Sequence, residues 1–199
     1  MLGLPSTTEV DEALPKASFY RNMSLDAKTR QQFVSGVERI VVKNVMRPDT
    51  TNLADGLDVH EVFVIVVEPK GEVVPKAVVA TILKATDARA LVVDGLTGHI
   101  WAKGPNGTLE TEGTDNLVIT GANLDEAWDS VLSQLAFGGE TDGTDVATRI
   151  ARKDEVEALE HEVAALDRKC RRERQLTRRN ALFAQLAEKR ARLAALKGE

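Results

Sequence analysis

From Arg149 to Glu199 the chain carries no proline and one late glycine, and its apolar residues recur in heptads. Val156, Leu159, Val163, Leu166 and Cys170 form one run; Leu182, Leu186, Leu193 and Leu196 form a second. That is the seam of a coiled coil. Between the runs the seam lapses at Glu173, Thr177 and Asn180, and cations gather instead. They are Arg168, Lys169, Arg171, Arg172, Arg174, Arg178 and Arg179, with Glu173 the only acid among them. A basic elbow thus joins two apolar helical stretches. The stretches either pair with each other as an antiparallel hairpin or pair with a second chain in a homodimer, and the lapse favours the hairpin.

The formal charge of -5 hides an asymmetry. Residues 149–199 carry 14 Lys+Arg against 9 Asp+Glu, net +5, which leaves 12 against 22, net -10, for residues 1–148. An acidic body repels a phosphate backbone, so nucleic-acid contact is expected at the basic elbow if anywhere. The plain alternative is that these cations are a solvated helix face. Cys170 is the only cysteine, so no intrachain disulfide forms, and its seam position suits a small buried side chain. No basic leader followed by an apolar run and no bilayer-length span is found, so a cytoplasmic protein without membrane contact is expected.

The body alternates in period. Thr8 to Leu14 reads as a short helix stopped at Pro15, and Ser24 opens a second helix through Phe33. Val37 to Met46 is a β-branched strand closed by Pro48, followed by a loop over Asp49 to Asp58. His60 to Glu68, apolar on both faces, is the expected central strand. Pro75 suits the first turn of a helix through Val78, Val79, Ile82 and Leu83. Ala90 to Val93 is a buried strand, turning through Asp94-Gly95 and Thr97-Gly98 into His99 to Ala102. Gly104 to Gly107 is a turn, and Leu117 to Thr120 reads as a weaker strand. Asn123 caps a helix bearing Leu124, Ala127, Trp128, Val131, Leu132 and Leu135.

One spacing carries possible chemistry. Glu68-Pro69-Lys70 places an acid and a lysine two apart at the end of a strand, as restriction-endonuclease-like nucleases do to hold Mg²⁺ and orient water. That chemistry also needs an acid from the preceding strand. Val37 to Met46 offers only Glu38, and Pro69 interrupts pairing between the two residues. His60, His99 and His161 lack neighbours at metal-ligand spacing, and neither a nucleophile elbow nor a phosphate loop occurs, so no metal or cofactor is implied. Trp101 and Trp128 are expected to fill the core.

Met1-Leu2-Gly3-Leu4-Pro5, Leu14-Pro15-Lys16, Asn52-Leu53-Ala54-Asp55-Gly56 and Asn123-Leu124-Asp125-Glu126-Ala127-Trp128, with the Arg-rich tail, resemble the bacterial domain-of-unknown-function family numbered 4391. The resemblance spans essentially the whole chain and carries no assigned functional residue. It implies an accessory subunit in a DNA-processing or antiphage defence locus, with a DNA helicase or DNA methyltransferase as partner.

The expected fold is α/β or α+β: a mixed sheet of about four to five strands flanked by helices, plus a C-terminal helical hairpin or coiled coil. Residues 1–137 form the body, 138–146 a flexible linker and 147–199 the helical arm. The leading function is a non-catalytic interaction subunit that binds a protein partner or nucleic acid through the arm. The alternatives are a metal-dependent nuclease using Glu68 and Lys70, and a homo-oligomeric structural protein.

Overall fold

The computed structural model describes residues 2–113, 117–139 and 144–198. The chain divides into two compact units, Met1–Gly143 and Thr144–Glu199. Much of the linker expected over 138–146 falls on residues 140–143, which lie outside the described residues.

The first unit is an α+β body on a six-stranded mixed sheet in sequential order, two edge strands beyond the core that hydropathy indicates. In chain order its elements are β1 (Glu9–Leu14), α1 (Lys16–Asn22), α2 (Ala27–Gly36), β2 (Val37–Met46), α3 (Pro48–Thr51), β3 (Val62–Pro69), α4 (Lys76–Ala85), β4 (Arg89–Asp94), β5 (Ile100–Lys103), β6 (Thr108–Thr111) and α5 (Leu124–Phe137). Strand β2 pairs antiparallel with both β1 and β3; α4 crosses over so that β4 runs parallel to β3, and β5 and β6 complete an antiparallel meander. Parallel pairing requires such a crossover, and Pro75 supplies it by starting α4 with a preset φ of -62°.

Both faces of the central strands are covered. Ile40, Val42, Ile65, Val67, Val92 and Trp101 point into one core with Phe19 and Phe33 and with Val78, Val79 and Ile82 of α4. The alternate residues Val64, Val66, Leu91, Val93, Ile100 and Ala102 are buried too. The helix α5, which packs along β6, buries Leu124, Ala127, Trp128, Val131, Leu132 and Leu135. Asn123 accepts the Glu126 amide as its cap at 3.0 Å, and Gly138 ends it in the left-handed region.

Three local expectations are corrected. Glu9 to Leu14 is not a helix but edge strand β1, because β2 offers an unpaired backbone edge whose hydrogen bonds outweigh local propensity. A bulge at Asp11, with φ at 54°, bends that edge, and the Asp11 carboxylate pairs with Lys43. Pro15 therefore opens a helix, α1, rather than stopping one. Leu117 to Thr120 joins no strand: the Gln134 side chain accepts from the Val118 amide at 2.9 Å and donates to its carbonyl at 2.7 Å, taking both groups a neighbouring strand would use. The other unexpected edge strand is β6, reached through the Gly104 to Gly107 turn. Smaller differences are that α2 starts at Ala27 behind an Asp26 cap, and that the loop after β2 opens with the single turn α3.

Candidate functional site

The second unit is a helical hairpin. Helix α6 (Val146–Arg172) starts behind Asp145, whose carboxylate accepts the Thr148 amide at 2.9 Å. Helix α7 (Leu176–Lys197) packs along it. Cross-helix ties fix the antiparallel direction: Glu155 with Arg192, Glu160 with Lys197 at 2.7 Å, Glu162 with Lys189 at 2.7 Å and Asp167 with Arg190 at 3.3 Å. Arg152 Nε also donates to the Leu196 carbonyl at 2.9 Å. Of the seam, Leu159, Cys170 and Leu186 are buried, while Val156, Val163, Leu166, Leu182, Leu193 and Leu196 are partly buried. Cys170 is a free thiol inside this seam.

The elbow expected from sequence is the closed end of the hairpin. Glu173 to Gln175 separate the helices, and Arg168, Lys169, Arg171, Arg172, Arg174, Arg178 and Arg179 are all exposed around that end. Arg171 pairs with Asp167 at 2.7 Å; among the described residues the other six have no acidic partner. Position separates these cations physically. Lys169, Arg171 and Arg172 occupy the last turn of α6, where positive charge offsets the carbonyl end of the helix dipole. Arg178 and Arg179 sit in the first turn of α7, which has no acid and no side-chain cap. Cations there oppose the dipole, each costing about 0.3–1 kcal/mol where an acid would stabilise. Helix stability accounts for the first group and not for the second.

The body holds the nuclease-like pair differently. Glu68 faces a cleft of about 550 Å³ that Leu2, Arg39, Lys43, Val66 and the Gly95 to Gly98 turn also line. Its register partner across the β2–β3 ladder is Arg39, whose guanidinium donates to it at 2.8 Å. A cation therefore stands where the metal chemistry would need a second carboxylate. Lys70 does not line that cleft: its ammonium donates to the Val34 carbonyl at 3.3 Å. Among the described residues no group of three His, Cys, Asp or Glu is placed to hold a metal. His60 pairs with Asp55 at 3.0 Å, and His161 is exposed. His99 lies 3.2 Å from Glu110, out of line for a hydrogen bond, and beside Trp101. Trp101 and Trp128 are core residues, with 3% and 4% exposure.

Two acids whose side-chain roles are not legible in the sequence organise the body. Asp94, 0% exposed, ends β4 and accepts amides from Val74 at 2.8 Å, Leu96 at 2.8 Å and Thr97 at 3.0 Å. Asp125, in the first turn of α5, accepts from Leu57 at 2.6 Å, Asp58 at 3.1 Å and Val59 at 2.8 Å. It thereby holds the three residues that follow Asn52 to Gly56, and that segment is itself joined to Asn123 to Trp128, the other stretch of the family resemblance, by the Ala54–Asn123 bridge. A Cβ at Gly56 would stand 2.5 Å from the Val59 carbonyl and 2.7 Å from the Asp125 carboxylate, so only glycine fits.

These amides, the Leu57 amide first, hold the Asp125 carboxyl below its usual 3.8. A folded value below the unfolded one means that its stabilisation is complete above the unfolded value and fades as pH falls through the folded one. An acid titration followed through the amide resonances of Leu57, Asp58 and Val59 is expected to show a midpoint under 3.8. A midpoint at or above it would mean that the carboxylate does not hold the loop.

Among the described residues no helix is long and apolar enough to cross a membrane. No curated protein and no solved structure matches the chain. One family does, described as Domain of unknown function (DUF4391); it matches residues 2–93 and 83–193, and the chain belongs to it.

Proposed function

We propose that this protein is a non-catalytic interaction subunit that engages an oxyanion-bearing partner, nucleic acid or acidic protein, through the basic end of its helical hairpin. The observation that carries this reading is the distribution of pairing along α7. Lys189, Arg190, Arg192 and Lys197 each meet an acid on α6, whereas Arg178 and Arg179 meet none among the described residues and oppose the helix dipole. Exposed guanidinium groups matched to no internal acid suit phosphate or carboxylate, which they grip with a planar fork of donors. A setting in a bacterial DNA-processing or antiphage assembly rests on the family resemblance alone.

The test replaces Arg171, Arg172, Arg178 and Arg179 together with Gln, which keeps helix propensity and removes four charges. Two labelled probes are titrated against each form: a mixed-sequence DNA strand and an amphipathic Leu/Glu peptide, both of about 20 units. Wild type is expected to bind at least one, weakening steeply with salt, and the variant is expected to lose at least about tenfold in affinity with most of the salt dependence. If neither probe binds, or if the variant matches wild type, the cations are a solvated surface and the reading fails.

A further inference from the structure

The same end of the hairpin exposes apolar side chains that its own core does not use. Leu176 is 61% exposed and Phe183 51%. With Arg179 they lie at spacings of three, four and seven on α7 and so share one face. Ala187 and Ala191 are exposed further along that side. The seam of α7, through Leu182, Leu186, Leu193 and Leu196, lies on another side of the helix and is already packed against α6. The result is a narrow apolar strip that includes Arg179 and starts two residues after Arg174; both cations are exposed and, among the described residues, have no acidic partner.

We infer that this strip docks an acidic amphipathic segment of a partner protein, with Leu176 and Phe183 as apolar anchors and Arg174 and Arg179 meeting the segment's carboxylates. The inference rests on the reading of the hairpin end as an oxyanion-binding surface and narrows the partner to a protein. Charge and apolarity decide together. A phosphate backbone would satisfy the cations but offers nothing to Leu176, which cannot stack on a base. An uncharged partner would cover the leucine and the phenylalanine but leave the arginines unmatched. A second copy of the same face would set Arg179 against its own kind. An acidic segment with apolar residues at helical spacing answers both demands, and a strip one helix wide fits one helix better than a broad surface.

Both anchors are exposed, so replacing them should leave the hairpin folded. Leu176→Ser with Phe183→Ser is the primary variant and the milder Phe183→Ala the second, each checked for unchanged helical circular dichroism. The full-length protein is titrated with the same Leu/Glu peptide and the same DNA strand. The expected result is that wild type binds the peptide in preference to DNA, and that the double variant weakens the peptide at least about tenfold, as loss of interface anchors does. Peptide affinity unchanged in a folded apolar variant would overturn the inference. So would a preference for DNA, although that outcome would leave the basic end as an oxyanion site. Loss of all binding, with no difference made by the four-arginine replacement, would instead remove the underlying reading.

Discussion

Replacing Asp94 with alanine is expected to lower the melting temperature of the body more than any other single polar substitution. The carboxylate is fully buried and accepts three backbone amides, one from the approach to α4 and two from the turn between β4 and β5. Alanine leaves those donors without an acceptor in a site closed to water. Each buried unsatisfied donor costs about 1–3 kcal/mol, so a combined loss of roughly 3–5 kcal/mol is reasonable for three that share one relaxing turn. For a chain of this size that corresponds to a fall of about 10–15 °C by calorimetry or circular dichroism. Asp94→Asn should cost less, because its amide oxygen still accepts from Leu96 and Thr97 while its NH₂ group faces the Val74 amide. A shift of less than ~3 °C for alanine would mean that water or a rearranged turn satisfies these amides.

Asp94 also shows why part of the body was hidden in the sequence. Its neighbour Gly95 and the later Thr97-Gly98 mark a turn by composition, and the turn is there. That the aspartate side chain reaches back across twenty positions to Val74 is a fact of tertiary placement. The same holds for Asp125 and the loop at Leu57, 68 positions apart in the chain. Hydropathy made β2, β3, α4, β4 and α5 legible, since each buries a stripe or a continuous apolar run. It failed at both sheet edges. Strand β1 has the composition of a helix, and β6 is four residues of which no more than half are even partly buried. Edge strands take their conformation from the neighbour they pair with, so their own side chains carry little signal. At the hairpin, the heptads and the cations were both readable. The sequence alone did not say which cations had partners, and it is that difference, Arg190 with Asp167 against Arg178 with no acid among the described residues, on which the proposed function of the hairpin end turns.

The second large effect is expected at the seam. Leu186 is 2% exposed in the middle of α7, between Leu182 and Leu193 on the side that meets α6. Leu186→Asp places a carboxylate there with no cation assigned to it, a change that costs about 3–5 kcal/mol for an uncompensated buried charge. A hairpin of two helices seldom holds more than about 3–5 kcal/mol in total. Nor are its helices, of 27 and 22 residues, secure alone, because isolated helices in water depend on partners for most of their stability. The substitution should therefore melt α6 and α7 together, seen as a large loss of helical circular dichroism, while the cooperative melt of the sheet body persists. Leu176→Asp serves as the contrast. That leucine is exposed one turn before Arg179, so an acid at the start of α7 should leave the helix intact or slightly firmer through the dipole. Should Leu186→Asp keep its helix content and merely halve the mass in light scattering, the two seams would be meeting across chains. Equal and small effects at 176 and 186 would mean that the seam does not hold the hairpin together.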